Sequence, residues 1–181
     1  MIRSLELDES DRLPLQRFDR VFEQHYAGLK RLATMILGEP SAAEDIVQDT
    51  FIKLNQSAVL TSEESDVAAW LRRVCVNASL NQLRADQRLR QRSNRLTDLA
   101  DTYAPDHERP DAQVLRSEER DRVRSALSAI PETLRACLVL RHSGYSYAEI
   151  AATLEIAIGS VGVYLARGER AFRRHFEEKT S

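Results

Sequence analysis

The chain is 181 residues long and carries 26 basic and 28 acidic residues, for a formal net charge of −2 at pH 7. Only 6 residues are Gly and 5 are Pro, so turn chemistry for a β-protein is scarce and an all-α fold is predicted. The sequence contains no apolar run approaching the roughly 18 residues that span a bilayer, so we expect no membrane insertion. The length allows one medium domain or two small ones.

The residue inventory argues against common enzyme and metal sites. Cys75 and Cys137 lie far apart in apolar helical patterns without CxxC spacing, so we expect free thiols in a reducing compartment and no zinc. The four histidines are scattered and form no HExxH motif, and there is no Gly-rich phosphate loop. Met1 to Asp11 is acidic and unlike a signal peptide. These features predict a cytoplasmic protein that is not an enzyme and has no metal or cofactor.

Charge is distributed in blocks along the chain, so local charge is more informative than the total. Acidic residues collect at the start of the chain and again between residues 98 and 111. The middle and the end of the chain are instead rich in arginine. The two basic blocks are formed by Arg72, Arg73, Arg84, Arg88, Arg90, Arg92 and Arg95, and by Arg167, Arg170, Arg173 and Arg174.

Two amphipathic helices are predicted first. Apolar residues recur at helical spacing from Phe18 to Ile36, and Gly38-Glu39-Pro40 ends that helix. Ser41 is predicted to cap the second helix, with Glu44 completing a capping box. The predicted buried residues of this second helix are Ile46, Val47, Phe51 and Leu54, and the outer ones are Glu44, Asp45, Gln48 and Asp49. An acidic outer side is ill suited to DNA and well suited to a basic protein partner.

A polar loop over residues 56–65 leads to a long helix predicted over residues 66–90. This helix mixes arginine, which binds phosphates, with asparagine, which can read base edges. Trp70 could serve as a stacking platform, but its place in an apolar stripe favours core packing. The stripe that we predict to face inward consists of Val67, Trp70, Leu71, Val74 and Ala78.

Residues 93–113 lack periodicity, contain two prolines and are rich in acid, which predicts a flexible linker. The chain is therefore divided into an N-terminal extension (1–17), a first helical domain (18–92), this linker, and a second helical domain (114–178).

The last quarter of the chain has the pattern of a helix-turn-helix. Pro131 can begin a helix and Gly144 can end it. Ser146 and Glu149 then form a capping box for a short helix. A further helix opens near Ser160, with a buried stripe of Val161, Leu165, Gly168 and Phe172 backed by Val163, Arg167, Arg170 and Arg174. Such a helix can be presented to DNA, although arginines opposite an apolar stripe also occur on ordinary surface helices.

Three strings in this order resemble the extracytoplasmic-function (ECF) group of bacterial sigma-70 factors, the small two-domain initiation subunits of RNA polymerase. They are Ala-Glu-Asp-Ile-Val-Gln-Asp-Thr-Phe at 43–51, Ala69-Trp70-Leu71 through Leu83-Arg84, and Tyr147-Ala148-Glu149-Ile150-Ala151 with Gly159-Ser160-Val161. The resemblance covers roughly residues 18–176. It implies a region 2 helical bundle and a region 4 helix-turn-helix, joined by the acidic linker.

The resemblance also implies partners and contact residues. The acidic face, Glu44, Asp45, Gln48 and Asp49, would dock on the β′ clamp helices of core RNA polymerase. Promoter DNA would bind at its −10 element, where the loop at 56–65 would border a pocket for a flipped base, and at its −35 element. The −10 candidates are Arg72, Arg73, Asn77, Asn81, Arg84 and Arg88. The −35 candidates are Ser160, Gly162, Val163, Tyr164, Arg167 and Arg170. The β flap and an anti-sigma factor are further expected partners.

The chain departs from the family pattern at the −35 helix. Gly162, Val163 and Tyr164 stand where Lys or Arg, Ser and Arg are frequent, and Ala157 replaces a usual Ser cap. Because recognition helices read bases with their N-terminal residues, this predicts an unusual −35 element or weak reading of it. A competing hypothesis is a helix-turn-helix regulator that binds DNA without polymerase, which leaves the acidic face at 43–55 unexplained.

Overall fold

The protein is all α-helical over the residues that its computed structural model describes, 9–94 and 111–178. This confirms the predicted fold class. The helices are α1 (Glu9–Leu37), α2 (Pro40–Asn55), a 3-10 helix (Ala58–Thr61), α3 (Glu64–Asn94), α4 (Asp111–Ser128), α5 (Glu132–His142), α6 (Tyr147–Leu154) and α7 (Ile158–Glu178). Helix α3 thus ends at Asn94 and α4 begins at Asp111, while the rest of the predicted linker, residues 95–110, lies outside the described residues.

Helices α1, α2 and α3 pack around a first apolar core. Val47, Phe51 and Leu54 of α2 are buried there as predicted, against Val67 and Leu71 of α3. The predicted polar loop is wrong in one respect, because residues 58–61 form a 3-10 helix that buries Leu60 in this core. Its start is capped by Ser57, whose side chain accepts a hydrogen bond from the backbone N–H of Val59.

The predicted cap of α2 is also wrong. The helix begins at Pro40, and its N-cap is Glu39 rather than Ser41. Proline fits the first helical position and favours an extended residue before it, which is the conformation that Glu39 adopts (φ −129°, ψ 117°). The Glu39 carboxylate accepts hydrogen bonds from the backbone N–H groups of Ser41 (2.9 Å) and Ala42 (2.6 Å). These bonds lower the pKa of Glu39.

Helices α4 to α7 form the second unit. The capping box of α6 is present as predicted, with Ser146 and Glu149 bonded reciprocally. Gly144 ends the preceding segment with a positive φ of 91°, a conformation that glycine adopts without strain. Pro131 is the N-cap residue of α5 rather than its first helical residue. On α7, Val161, Leu165 and Gly168 are buried, whereas Val163, Arg167, Arg170 and Arg174 are exposed.

The two units dock against each other through a second, larger core. Leu32 and Ile36 of α1 and Val76 and Leu80 of α3 share this core with the buried residues of α4 to α7. Helix α3 is therefore apolar on two sides. The predicted inward residues Val74 and Ala78 are only half-buried, and the second buried side runs through Val76, Ser79 and Leu80.

Candidate polymerase and promoter interfaces

The acidic face of α2 is partly occupied by a neighbour within the chain. Asp45, Gln48 and Asp49 are exposed, as a docking surface requires. Glu44 is half-buried, and its carboxylate accepts hydrogen bonds from Lys30 Nζ (2.8 Å) and Tyr26 Oη (3.1 Å). The hydrogen bond from Lys30 is the main cause of a lowered pKa at Glu44, which keeps this side chain charged.

Helices α1 and α2 also carry exposed apolar side chains, and the sequence analysis did not predict their exposure. Ile52 of α2 is 56% exposed, although its neighbour Phe51 is buried. Phe22 of α1 is 36% exposed and stacks among Phe18, Tyr26 and Phe51, with 4.8 Å between its ring centroid and that of Phe51. Single exposed apolar side chains occur on most protein surfaces, and at an interface they can add apolar contact to the charges. Ile52 is an apolar residue outside the buried stripe of α2, and that position is the sequence signal that could have identified it as exposed.

The six −10 candidates on α3 fall into two groups. Arg73, Asn81 and Arg88 are exposed and Asn77 is half-buried. Arg72 and Arg84, in contrast, are bound to the helix-turn-helix unit. The structure therefore leaves only part of the predicted set open to DNA.

Arg72 is almost fully buried, with 8% of the residue exposed. Its Nε donates a hydrogen bond to Thr153 Oγ1 (3.0 Å), and its Nη1 lies 3.5 Å from Glu149 Oε1. The guanidinium also lies over the ring of Tyr145, with Cζ 4.3 Å from the centroid, a favourable cation–π geometry. These three partners all come from the second unit, from α6 and the residues just before it.

Arg84 makes a second link of the same kind, three turns along α3. Its Nε donates to Glu132 Oε1 at 3.4 Å, and its Nη1 lies 3.5 Å from Asn81 Oδ1. Glu132 is the first residue of α5. A carboxylate there is favoured by the positive end of the helix dipole.

A cleft of about 370 Å³ opens between the 3-10 helix, α3 and α6. Val59 and Ser62 form one wall, and the role of residues 56–65 in bordering a pocket for a flipped base stays a prediction. Ala152 and Thr153 of the second unit form another wall. Trp70 lines this cleft, is half-buried, and packs against the first core, in line with the predicted core role.

The six −35 candidates lie on α7, which begins at Ile158. Val163, Arg167 and Arg170 are exposed, whereas Ser160, Gly162 and Tyr164 are half-buried. Tyr164 packs against the second core, so it is only partly available to DNA. Ile158, which sequence reasoning missed, is 59% exposed, and Val163, five residues further along the helix, is 56% exposed. The leading end of α7 is therefore apolar, and its arginines lie further along the helix.

Comparison with known proteins places these two units in one family. The family model described as Sigma-70 region 2 matches residues 21–89, and that described as Sigma-70, region 4 matches residues 120–172. The chain is 33% identical over 158 residues to the ECF RNA polymerase sigma factor SigM of Mycobacterium tuberculosis, covering 87% of this chain and 76% of that protein. The chain belongs to the ECF family of sigma-70 factors.

Other relatives of this ECF sigma factor agree. It is 29% identical to the ECF RNA polymerase sigma factor SigE of Mycolicibacterium smegmatis, over 94% of this chain and 66% of that protein. It is 28% identical to the RNA polymerase sigma-H factor of Pseudomonas aeruginosa, over 85% and 83% of the two chains. The solved structure of the sigma factor RpoE of Bartonella quintana, in complex with the anti-sigma factor NepR, has the same fold, with a TM-score of 0.66, 22% identity, and 88% of this chain and 96% of that chain covered.

The family membership makes this ECF sigma factor a transcription initiation factor. Region 2 corresponds to α1 to α3 and region 4 to α4 to α7.

Both cysteines are free and buried, as expected, and burial raises the pKa of Cys75 to about 12 and that of Cys137 to about 11. Within the described residues, no group of three or more His, Cys, Asp or Glu side chains is arranged to hold a metal ion. No single described helix has the length and apolarity to cross a membrane, and only the bent pair of α6 and α7 passes such a test jointly.

Proposed function

We propose that this cytoplasmic chain binds core RNA polymerase through region 2 and directs it to promoters by reading the −10 and −35 elements. The observation that carries the proposal is the presence, on one chain, of an acidic exposed face on α2 and a helix-turn-helix with exposed arginines on α7. A free-standing helix-turn-helix regulator would need only the second of these. As a sigma factor, the chain would contribute recognition and strand opening, and the polymerase would contribute catalysis.

Within this proposal the polymerase-binding surface combines charge and apolar contact. Asp45, Gln48 and Asp49 would steer a basic partner and set its register, while exposed Ile52 and Phe22 would supply apolar contact. Glu44, already bonded to Lys30, would hold α2 against α1 and contribute less to the partner. The β′ clamp helices are the proposed counterpart, and the β flap is the proposed counterpart of region 4.

The promoter-binding roles follow the two basic helices. On α3, Arg73 and Arg88 would bind phosphates, and Asn77 and Asn81 would read base edges, joined by Arg72 and Arg84 once these are released. On α7, Ile158 and Val163 would meet the bases and Arg167 and Arg170 the phosphates. An apolar leading end suits thymine methyl groups, so the −35 element would differ from one read by cations.

The proposal is tested by offering the purified chain to bacterial core RNA polymerase and running run-off transcription on a genomic fragment library. We expect a stable complex on gel filtration and RNA starting at defined sites. The substitutions Asp45→Ala and Asp49→Ala together should weaken the complex, whereas Glu155→Ala and Glu177→Ala, which remove the same charge from exposed positions in region 4, should not. DNA binding without polymerase association would instead favour the free-standing regulator.

An anti-sigma factor is the remaining proposed partner. The RpoE structure that shares this fold contains one, NepR. Capture from the host of a protein that binds this chain and blocks run-off transcription would test whether the same kind of partner acts here.

A further inference from the structure

The segment that joins α2 to α3, residues 56–63, forms one wall of the cleft described above. Short hydrogen bonds within the segment fix its shape. The backbone N–H of Ser62 donates to the Val59 oxygen (2.9 Å), and the Thr61 hydroxyl donates to the Ala58 oxygen (2.8 Å). Leu60, 6% exposed, packs the segment into the first core. Bonds between such close neighbours define a turn, but they do not fix where the turn lies relative to the other helices.

Helix α1 supplies hydrogen bonds that reach this segment and its junction with α3. Arg17 Nη2 donates to the backbone oxygen of Ser62, and Gln24 Nε2 donates to Glu64 Oε1 at the start of α3. Arg17 and Gln24 are seven residues apart, about two turns, and buried Val21 lies between them on the same side of α1. This side of α1 therefore fixes the point at which the segment passes into α3.

Arg17 anchors the cleft wall itself. Its side chain is half-buried with Nε shielded from solvent, whereas the bond between Gln24 and Glu64 is exposed. A hydrogen bond from a guanidinium is charge-assisted, and partial burial strengthens it by reducing competition from water. Ser62, whose backbone accepts this bond, lines the cleft. A shift of the Ser62 backbone would therefore move the wall.

We propose that Arg17 is a positioning residue for −10 recognition, because its guanidinium holds Ser62, and with it the wall formed by Val59 and Ser62, where an unstacked −10 base is selected. The inference rests on the proposed function, in which region 2 reads the −10 element. Arg17 acts through Ser62 and lies before residue 21, where the match to Sigma-70 region 2 begins. Such support matters because binding groups must be held to within about 0.5 Å of their productive geometry.

The decisive variant is Arg17→Met in the full-length chain, compared with Arg20→Met. Methionine keeps an apolar side chain of similar length and removes every hydrogen-bond donor. Arg20 is exposed on the same helix, so its replacement removes the same charge without removing the bond to Ser62. Arg17→Lys restores a cationic donor and should recover most of any effect that depends on this bond.

The first measurement is hydrogen–deuterium exchange of the free chain, which needs neither polymerase nor DNA. We expect the amides of residues 57–62 to exchange about fivefold faster in Arg17→Met than in Arg20→Met, because loss of one hydrogen bond favours local opening. Exchange in the rest of α2 and α3 should be equal in the two variants. Equal exchange over residues 57–62 would overturn the proposal. Faster exchange throughout α2 and α3 would also overturn it, because Arg17 would then support the fold as a whole.

The second measurement is base selection by the complex of each variant with core RNA polymerase. The probe is a single-stranded DNA of about 20 nucleotides with about six central positions randomised, which is captured by the complex and sequenced. We expect Arg17→Met to lower the preference for the favoured base about fivefold at one position and to leave the other positions unchanged. Arg20→Met and Arg17→Lys should keep that preference. Wild-type selection by Arg17→Met, or an even loss at every position, would contradict a positioning role.

Failure of this inference and failure of the proposed function give different results. If exchange over residues 57–62 changes as expected but the wild-type chain neither joins polymerase nor selects a base, Arg17 holds the segment and the proposed function is wrong. If the wild-type chain joins polymerase and selects bases while Arg17→Met matches Arg20→Met in both measurements, the proposed function stands and Arg17 has no positioning role.

Discussion

At the scale of single residues, several ionised side chains have defined partners in this chain, and the partner determines what each contributes. Glu39 binds two backbone N–H groups at a helix start, Glu44 binds Lys30, and Glu149 binds both its own cap and Arg72. Within the described residues, the hydrogen bonds of Glu39 are made only to Ser41 and Ala42, at the start of its own helix. Their contribution to stability can therefore be tested without changing a residue that is proposed to bind a partner.

We predict that the Glu39 carboxylate stabilises the fold at neutral pH and ceases to do so in acid. Hydrogen bonds from Ala42 and Ser41 lower the pKa of Glu39 from its ordinary value of 4.5. The stabilisation is therefore complete above that value and is lost as the pH falls through the lowered pKa of the folded state. Glu39→Gln should reduce the free energy of unfolding by about 0.5–1 kcal/mol at pH 7, measured by urea denaturation.

The control for this prediction is Glu23→Gln, which removes the same charge from an exposed position of α1. The difference between Glu39→Gln and the wild-type chain should shrink as the pH is lowered well below 4.5. A difference that is the same at neutral and acid pH would mean that the charge of the cap is not its source.

At the scale of the helices, the close approach of α7 to α5 depends on a residue without a side chain. A Cβ atom at Gly168 would lie 3.0 Å from Leu138 Cγ and 3.3 Å from the backbone oxygen of Leu134. Both atoms belong to α5, and Leu138 is buried in the second core. The recognition helix is therefore positioned by direct contact between its backbone and the neighbouring helix.

Gly168→Ala is predicted to destabilise the protein by about 1–3 kcal/mol, because the added methyl group overpacks the contact with α5. Gly28→Ala is the matched control, since a Cβ there meets nothing within 4 Å and α1 continues on both sides. It should stabilise the protein by about 0.5–1 kcal/mol. Chemical denaturation followed by circular dichroism separates the two, and a stabilised Gly168→Ala variant would show that α5 and α7 can move apart at little cost.

The arginines of α7 are predicted to contribute to DNA affinity without contributing to sequence choice. Arg167 and Arg170 are exposed and lie beyond the leading end of the helix, where phosphates rather than bases are within reach. Replacing each by alanine should weaken promoter binding by the polymerase complex about equally for all −35 sequences and reduce the salt dependence by about one counterion per arginine. Val163→Ala should instead change the preferred −35 sequence. If Arg167→Ala alters that preference, the assignment of phosphate and base contacts is wrong.

The helices themselves could be predicted closely from the sequence, because each depends on local signals. The apolar spacing of α2, the capping box of α6 and the stop at Gly144 are all contained within a few residues, and the structure confirms them. The start of α2 was misplaced because Ser41 and Glu39 are both able to cap, and only the geometry before Pro40 decides between them. Residue roles at the predicted binding surfaces stay predictions, since no partner tests them.

At the scale of the whole molecule, the docking of the two regions could not be predicted from the same signals. Helix α3 already had one buried apolar stripe, so the further apolar residues Val76 and Leu80 could equally have been a contact surface for another protein. The sequence alone therefore did not predict that they pack against the second unit. Arg72 and Arg135 are likewise ordinary arginines in sequence and become buried only through contacts between residues about 80 to 100 positions apart. Tertiary contact at such separations leaves no local pattern.

We predict that Arg135 contributes strongly to the stability of the two docked regions. It is 6% exposed, and its guanidinium donates to the backbone oxygens of Ile36 at the end of α1 (2.8 Å), Ser128 at the end of α4 (2.8 Å) and Ile130 (3.2 Å). One side chain thus satisfies carbonyls from both regions, and a methionine would leave them buried without donors. Arg135→Met should cost about 2–4 kcal/mol, a fall of roughly 5–15 °C in Tm for a chain of this size.

The control is Arg141→Met, on the same helix but exposed, for which we expect a change within about 1 kcal/mol. Because the second core is continuous across the two regions, the wild-type chain should unfold in one calorimetric transition, with equal calorimetric and van't Hoff enthalpies. Arg135→Lys should not restore the wild-type Tm, since a single ammonium cannot reproduce the planar fork that reaches three carbonyls. Two separate transitions in the wild-type chain would mean that the regions fold independently. A Tm of Arg135→Met equal to that of Arg141→Met would mean that the Arg135 contacts add little to stability.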